Sequence, residues 1–205
     1  MFGLGKKPFD PERFDDAWTR YVRAISAKHP AFTAYFAAGA PAADIDAAGR
    51  VIGNALPDAL RHLLLKHAGS LDGRQVLPGW ELFSPARIVD EWKIWEELRR
   101  DEFVPDGLDC APEGPIKGDE WWRLGWIPFC GDGGGNHLCL DMDPARGGKA
   151  GQVISMWHDD ATRALIARSL TEFIEIIARD AENGLLAWDE EWGGVTAPTD
   201  APPEA

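Results

Sequence analysis

The residues with the strongest chemical potential lie between positions 137 and 160. In a strand running His137-Leu138-Cys139-Leu140-Asp141-Met142-Asp143, strict alternation places His137, Cys139, Asp141 and Asp143 on one face. Nitrogen, sulfur and carboxylate donors of this kind suit a zinc-like ion, and His158 with Asp159 and Asp160 follows close by. Side chains two apart on a flat strand point in parallel, however, and converge on an ion only with help from other elements. The competing reading makes Cys139 a small core residue and has Asp141 and Asp143 accept backbone N–H groups of the next loop.

The run Gly131-Asp132-Gly133-Gly134-Gly135-Asn136 has the glycine content of a phosphate-binding loop but not its spacing. It precedes a strand rather than a helix, and Asp132 would repel a phosphate, so a tight hairpin turn is the better reading. The chain has no GxSxG, HExxH or P-loop pattern. Cys110, Cys130 and Cys139 are odd in number and lack CxxC spacing, which argues against a disulfide framework or a cysteine zinc site.

Tryptophan is the unusual residue, with 10 in 205 positions. It buries a large area yet keeps a polar handle, which makes it both a core residue and an interface anchor. Trp80 beside Glu81, and Trp121-Trp122 beside Asp119-Glu120, stand next to acidic groups and are the candidate partner-binding residues. Asp106, Asp109 and Asp132 join them as loop carboxylates.

The elements that must position these groups can be read from periodicity. Phe14, Trp18, Tyr21, Val22 and Ile25 define an amphipathic helix from Pro11 to His29. Short helical pieces are expected over 31–50, and a further helix after Pro57 ends before Gly69. A short strand is expected near Gln75–Leu77 and another over Trp80–Phe83. Ser84-Pro85 opens a helix carrying Ile88, Trp92, Trp95 and Leu98. Residues 101–119 read as a long loop. Strands 126–130 and 137–141 form a hairpin, and a strand over 153–157 follows. Three sequential strands with short connections predict an antiparallel sheet. Ser169 and Glu172 form a capping box for a last helix that ends at Asn183-Gly184.

The predicted class is a single α+β domain, an antiparallel sheet packed against several helices. Residues 1–50 are expected as a helical N-terminal extension packed on a domain spanning 51–187, with a flexible tail over 188–205. The net charge of -13 disfavours nucleic acid and favours a basic partner. The segment MFGLGKKPFDPERF carries no apolar run, and no stretch is long enough to span a membrane, so a cytoplasmic location is expected, without a membrane partner.

Taken together and in order, Leu56-Pro57-Asp58, Trp80-Glu81-Leu82-Phe83-Ser84-Pro85, Trp126-Ile127-Pro128-Phe129, Gly135 to Pro144 and Gly151-Gln152-Val153-Ile154 resemble the SUKH superfamily. That superfamily includes fungal Smi/Knr-type regulators of cell-wall synthesis and bacterial immunity proteins. The resemblance implies a helix-backed antiparallel sheet, a protein-binding role, no shared catalytic set and no cofactor. The leading expectation is an immunity-type protein that masks the active site of a basic toxin, such as a nuclease. The alternative is a protein-binding scaffold or regulator of cell-envelope synthesis. A third reading is a metal-dependent hydrolase using His137, Asp141, Asp143 and His158.

Overall fold

A computed structural model describes residues 8–102 and 109–197. The first helix, α1 (Pro11–Ser26), starts where Asp10 Oδ1 accepts the Arg13 N–H, with Pro11 supplying a preset φ at the first position. Phe14, Trp18, Tyr21 and Ile25 form its buried stripe. A 3-10 turn over Pro30–Tyr35 and helix α2 (Ala42–Ile52) follow, so the expected domain boundary at 50/51 falls inside a helix. The third helix, α3 (Asp58–Lys66), uses Pro57 as its N-cap. Between α2 and the turn, Gly39 passes against the end of α3, where a Cβ would lie 1.9 Å from the Leu65 carbonyl oxygen.

Strand β1 (Glu81–Leu82) leads into α4 (Pro85–Arg100), capped by Ser84 Oγ on the Arg87 N–H. The remaining sheet strands are β2 (Ala111–Glu113), β3 (Trp126–Gly131), β4 (His137–Asp141), β5 (Gln152–Met156) and β6 (Thr162–Ala167). They form a six-stranded sheet in the order β1-β3-β4-β5-β6-β2. The central pairs are antiparallel as expected, but β2 runs parallel to β6, so the sheet is mixed. A register shift in β3 between Pro128 and Cys130 sits at the residue that has no N–H to give the ladder.

One face of the sheet is covered by α4, with Trp95 packing edge-on to His137 and against Trp122. The other is covered by α5 (Leu170–Glu182), where Phe173 meets Phe129. Ser169 caps α5 through the Glu172 N–H, and Glu172 reaches back to the Arg168 N–H. α1 then lies on α5, tied by Arg13 to Glu175 and by Arg20 to Glu182 across 162 positions of sequence.

The expected flexible tail is structured as far as 197. Strands β7 (Ala187–Asp189) and β8 (Gly194–Thr196) form a hairpin that buries Val195. It is held because Trp188 stacks on His29 and Tyr35, at 4.7 and 4.6 Å, and because Val195 exchanges backbone hydrogen bonds with Gln75 and Gly79. Gln75 and Leu77 make isolated bridges rather than the expected strand.

Candidate protein-binding surface

The alternation expected along β4 is present, but its donors are dispersed. His137 and Asp141 sit at opposite ends of the strand, roughly 14 Å apart at about 3.4 Å per residue. His137 is 2% exposed, lies between Phe83 and Trp95, and has both ring nitrogens without a hydrogen-bond partner. Its Nε2 is 3.6 Å from the Glu91 carboxylate, too far for a hydrogen bond. Burial pushes the His137 imidazole down to about 4 and the Glu91 carboxyl up.

At the far end, Asp141 accepts from the Asp143 N–H at 3.0 Å and from Gln152 Nε2 at 3.0 Å. Asp143 turns away to Lys117 at 2.6 Å and Arg123 at 3.2 Å, and those bonds hold its carboxyl low. His158 is bound to Asn136 Oδ1. Among the described residues no group of three His, Cys, Asp or Glu is placed to hold a metal ion, so the proposed quartet does not come together. The glycine run closes the β3–β4 hairpin instead. Asp132 accepts from the N–H groups of Gly134 and Asn136 and from Asn136 Nδ2, while Gly133 and Gly135 take positive φ.

The residues ranked as partner-binding divide between the two ends of β3. At the Trp126 end, Trp121 and Trp122 are 5% and 1% exposed, which corrects their reading as surface anchors. Rings from distant parts of the chain close around them, and Trp122 meets Trp126 edge-on with centroids 5.8 Å apart. Trp122 stacks on Trp95, and the buried Arg163 guanidinium sits 4.5 Å from the Trp121 ring while bonding the carbonyls of Asp160, Thr162 and Trp121. Asp119 is engaged by Arg123, and Glu120 lies 3.9 Å from Arg99. Asp109 is exposed beside β2, and Asp106 lies outside the described residues.

At the Gly131 end the expectation gains company. Glu81 pairs with Gly131 in the sheet, and the half-buried Trp80 contacts Trp157 with ring centroids 5.9 Å apart. Asp132, His158 and the exposed Asp159 occupy the two adjoining loops. The membership of Trp157 was within reach of sequence reasoning. The β3–β4–β5 register carries the residue after Met156 to the same end as the hairpin loop. Half-buried indole rings bordered by carboxylates offer a partner apolar area together with attraction for cations.

The sheet is helix-backed, its buried ionisable groups are enclosed in the core, and an aromatic pair is presented at a loop-rich end. The chain belongs to the SMI1 / KNR4 family (SUKH-1), whose model matches residues 39–176. It is 28% identical to the cell wall biosynthesis/cell cycle regulator smi1 of Schizosaccharomyces pombe, over 88% of this chain and 38% of that protein. It is 24% identical to a glucan synthesis regulatory protein of Neurospora crassa, over 85% of this chain and 40% of that protein. A shorter match, 39% identical over 43% of this chain and 18% of the relative, is to the cell wall assembly regulator SMI1 of Saccharomyces cerevisiae. The chain thus spans about two-fifths of the length of the first two relatives. These relatives are named as cell-wall or glucan-synthesis regulators, which overturns the expectation of a toxin-neutralising immunity protein. Among the described residues no helix is long and apolar enough to cross a membrane.

Proposed function

We propose that this chain is a protein-binding regulator of cell-wall polymer synthesis, acting by holding partner proteins rather than by transforming a substrate. The observation that carries the reading is the similarity, over most of its length, to proteins named as cell-wall and glucan-synthesis regulators. The Gly131 end of the sheet is the contact surface in this reading, with Trp80 and Trp157 as anchors and Glu81, Asp132 and Asp159 selecting a basic segment.

Affinity purification of the full chain from its native host, at low and high salt, tests this. The native protein is expected to retain components of wall-polymer synthesis, and a Trp80→Ala/Trp157→Ala variant to bind them at least about ten-fold more weakly. Because the rings are half-buried, the charge reversal Glu81→Lys/Asp159→Lys is run in parallel and should release the same proteins without altering the fold. Retention of an identical set by both variants would place the contact elsewhere. A preparation with no wall-synthesis component would overturn the reading.

A further inference from the structure

A second surface lies on the opposite part of the molecule's chain, in the N-terminal helices. A groove of about 380 Å³ opens between α1, the Pro30–Tyr35 turn and the end of α3. This is within the size range that receives a large side chain or small ligand. Its floor is aromatic: Trp18, Phe36 and His67 lie in mutual contact, with centroids 4.7 to 5.5 Å apart, and Val22 forms one wall. Burial, with Lys66 adding to it, lowers the His67 pKa, so the imidazole is neutral at pH 7 and the floor stays apolar.

The polar groups on this groove are few and of one kind. Arg23 is the charged residue in its lining, and it is a cation in a chain of net charge -13. Its carboxylate neighbour is already committed: Arg20 takes both oxygens of Glu182 at 2.9 and 2.5 Å, while Arg23 stands 3.8 Å away with a side chain 73% exposed. Ser26 Oγ, also in the lining, is a buried hydroxyl without a hydrogen-bond partner among the described residues. An apolar floor, an available guanidinium and an unsatisfied donor together specify an occupant that is apolar and anionic.

We propose that this groove docks a segment of a partner protein that presents an aromatic side chain next to a carboxylate, the ring on Trp18, Phe36 and His67 and the carboxylate toward Arg23 and Ser26. Segment 1–7 of the chain itself is a poor match, since Phe2 is followed by Lys6 and Lys7, and segment 198–205 offers Asp200 and Glu204 without a large apolar side chain. The surface is distinct from the Gly131 end of the sheet, and its test does not depend on the wall-regulator reading.

The probe is the peptide acetyl-Gly-Glu-Trp-Gly-amide, titrated into the 15N-labelled full chain beside its Gln counterpart. Amide shifts are expected at Val22, Ser26 and Thr33, with the Glu peptide binding about three-fold more tightly than the Gln peptide at low salt. Arg23→Gln should erase that difference, and Thr33→Trp, which fills the groove from its exposed rim, should remove binding of both peptides while leaving the circular dichroism unchanged. Shifts confined to other regions, equal affinities for the two peptides, or no shifts at millimolar peptide would overturn the assignment. So would two other results. Self-association of the native chain that Thr33→Trp abolishes would identify a second copy as the occupant, and tighter peptide binding by Phe103→Ser would identify the chain's own segment 103–108.

Discussion

His137 is a histidine that the fold keeps neutral. It is buried between Phe83 and Trp95 without a hydrogen-bond partner, and its pKa falls to about 4 against an ordinary 6.5. Below pH 6.5 the unfolded chain therefore takes up a proton that the folded chain refuses, and stability drops as pH falls from 6.5 toward 4. Glu91 acts with the opposite sign, because a carboxyl raised by burial is relieved, not penalised, as pH falls. His137→Phe keeps the ring contacts and removes the histidine contribution. The variant should lose about 2 kcal/mol less than the native chain between pH 6.5 and 5, read by urea unfolding at each pH. An unchanged slope would mean that water or a local opening solvates the ring. The same environment explains what was hidden at the residue scale. Trp121 and Trp122 follow two carboxylates and look exposed by local composition, but they are enclosed by Trp95, Trp126 and Arg163, which come close only after the chain has folded.

Elements with their own local signals were legible: α1 from the spacing of its apolar residues after Pro11, α4 from Ser84-Pro85, α5 from Ser169 and the β3–β4 hairpin from its glycines. Those stabilised mainly by a distant neighbour were not. β2 is three residues whose ladder partner is β6, some 50 positions on, and Pro112 within it argued for a loop. The β7–β8 hairpin depends on Trp188 lying against His29 and Tyr35, a contact no local pattern records. Gly39 belongs to this scale as well, since it marks the crossing of the N-terminal segment over α3. Gly39→Ala places a Cβ against the Leu65 carbonyl and should cost about 3 kcal/mol, measured as a lowered denaturation midpoint with an unchanged m-value. A cost near zero would show that the crossing can widen freely.

For the whole molecule, α2 spans the expected boundary at 50/51 and α1 covers α5, and we expect the N-terminal segment to belong to the same folding unit as the sheet. Removing residues 1–29 would uncover α5 and take away the Tyr21 hydroxyl bond to the Val76 carbonyl. The truncated chain is expected to bind 1-anilinonaphthalene-8-sulfonate and to lose cooperative thermal unfolding, and a sharp transition near the native midpoint would establish instead that 30–197 folds alone.

The clasp between α1 and α5 has a consequence in time. Ribosomes add about 5 to 20 residues per second, so the roughly 160 residues separating Arg13 from Glu175 take on the order of 10 to 30 s to appear. Once it has left the exit tunnel, the apolar stripe of Phe14, Trp18, Tyr21 and Ile25 waits without its final cover. A nascent chain of this design has an apolar helix made well before the one that covers it, which makes the interval between them a stage dependent on chaperones.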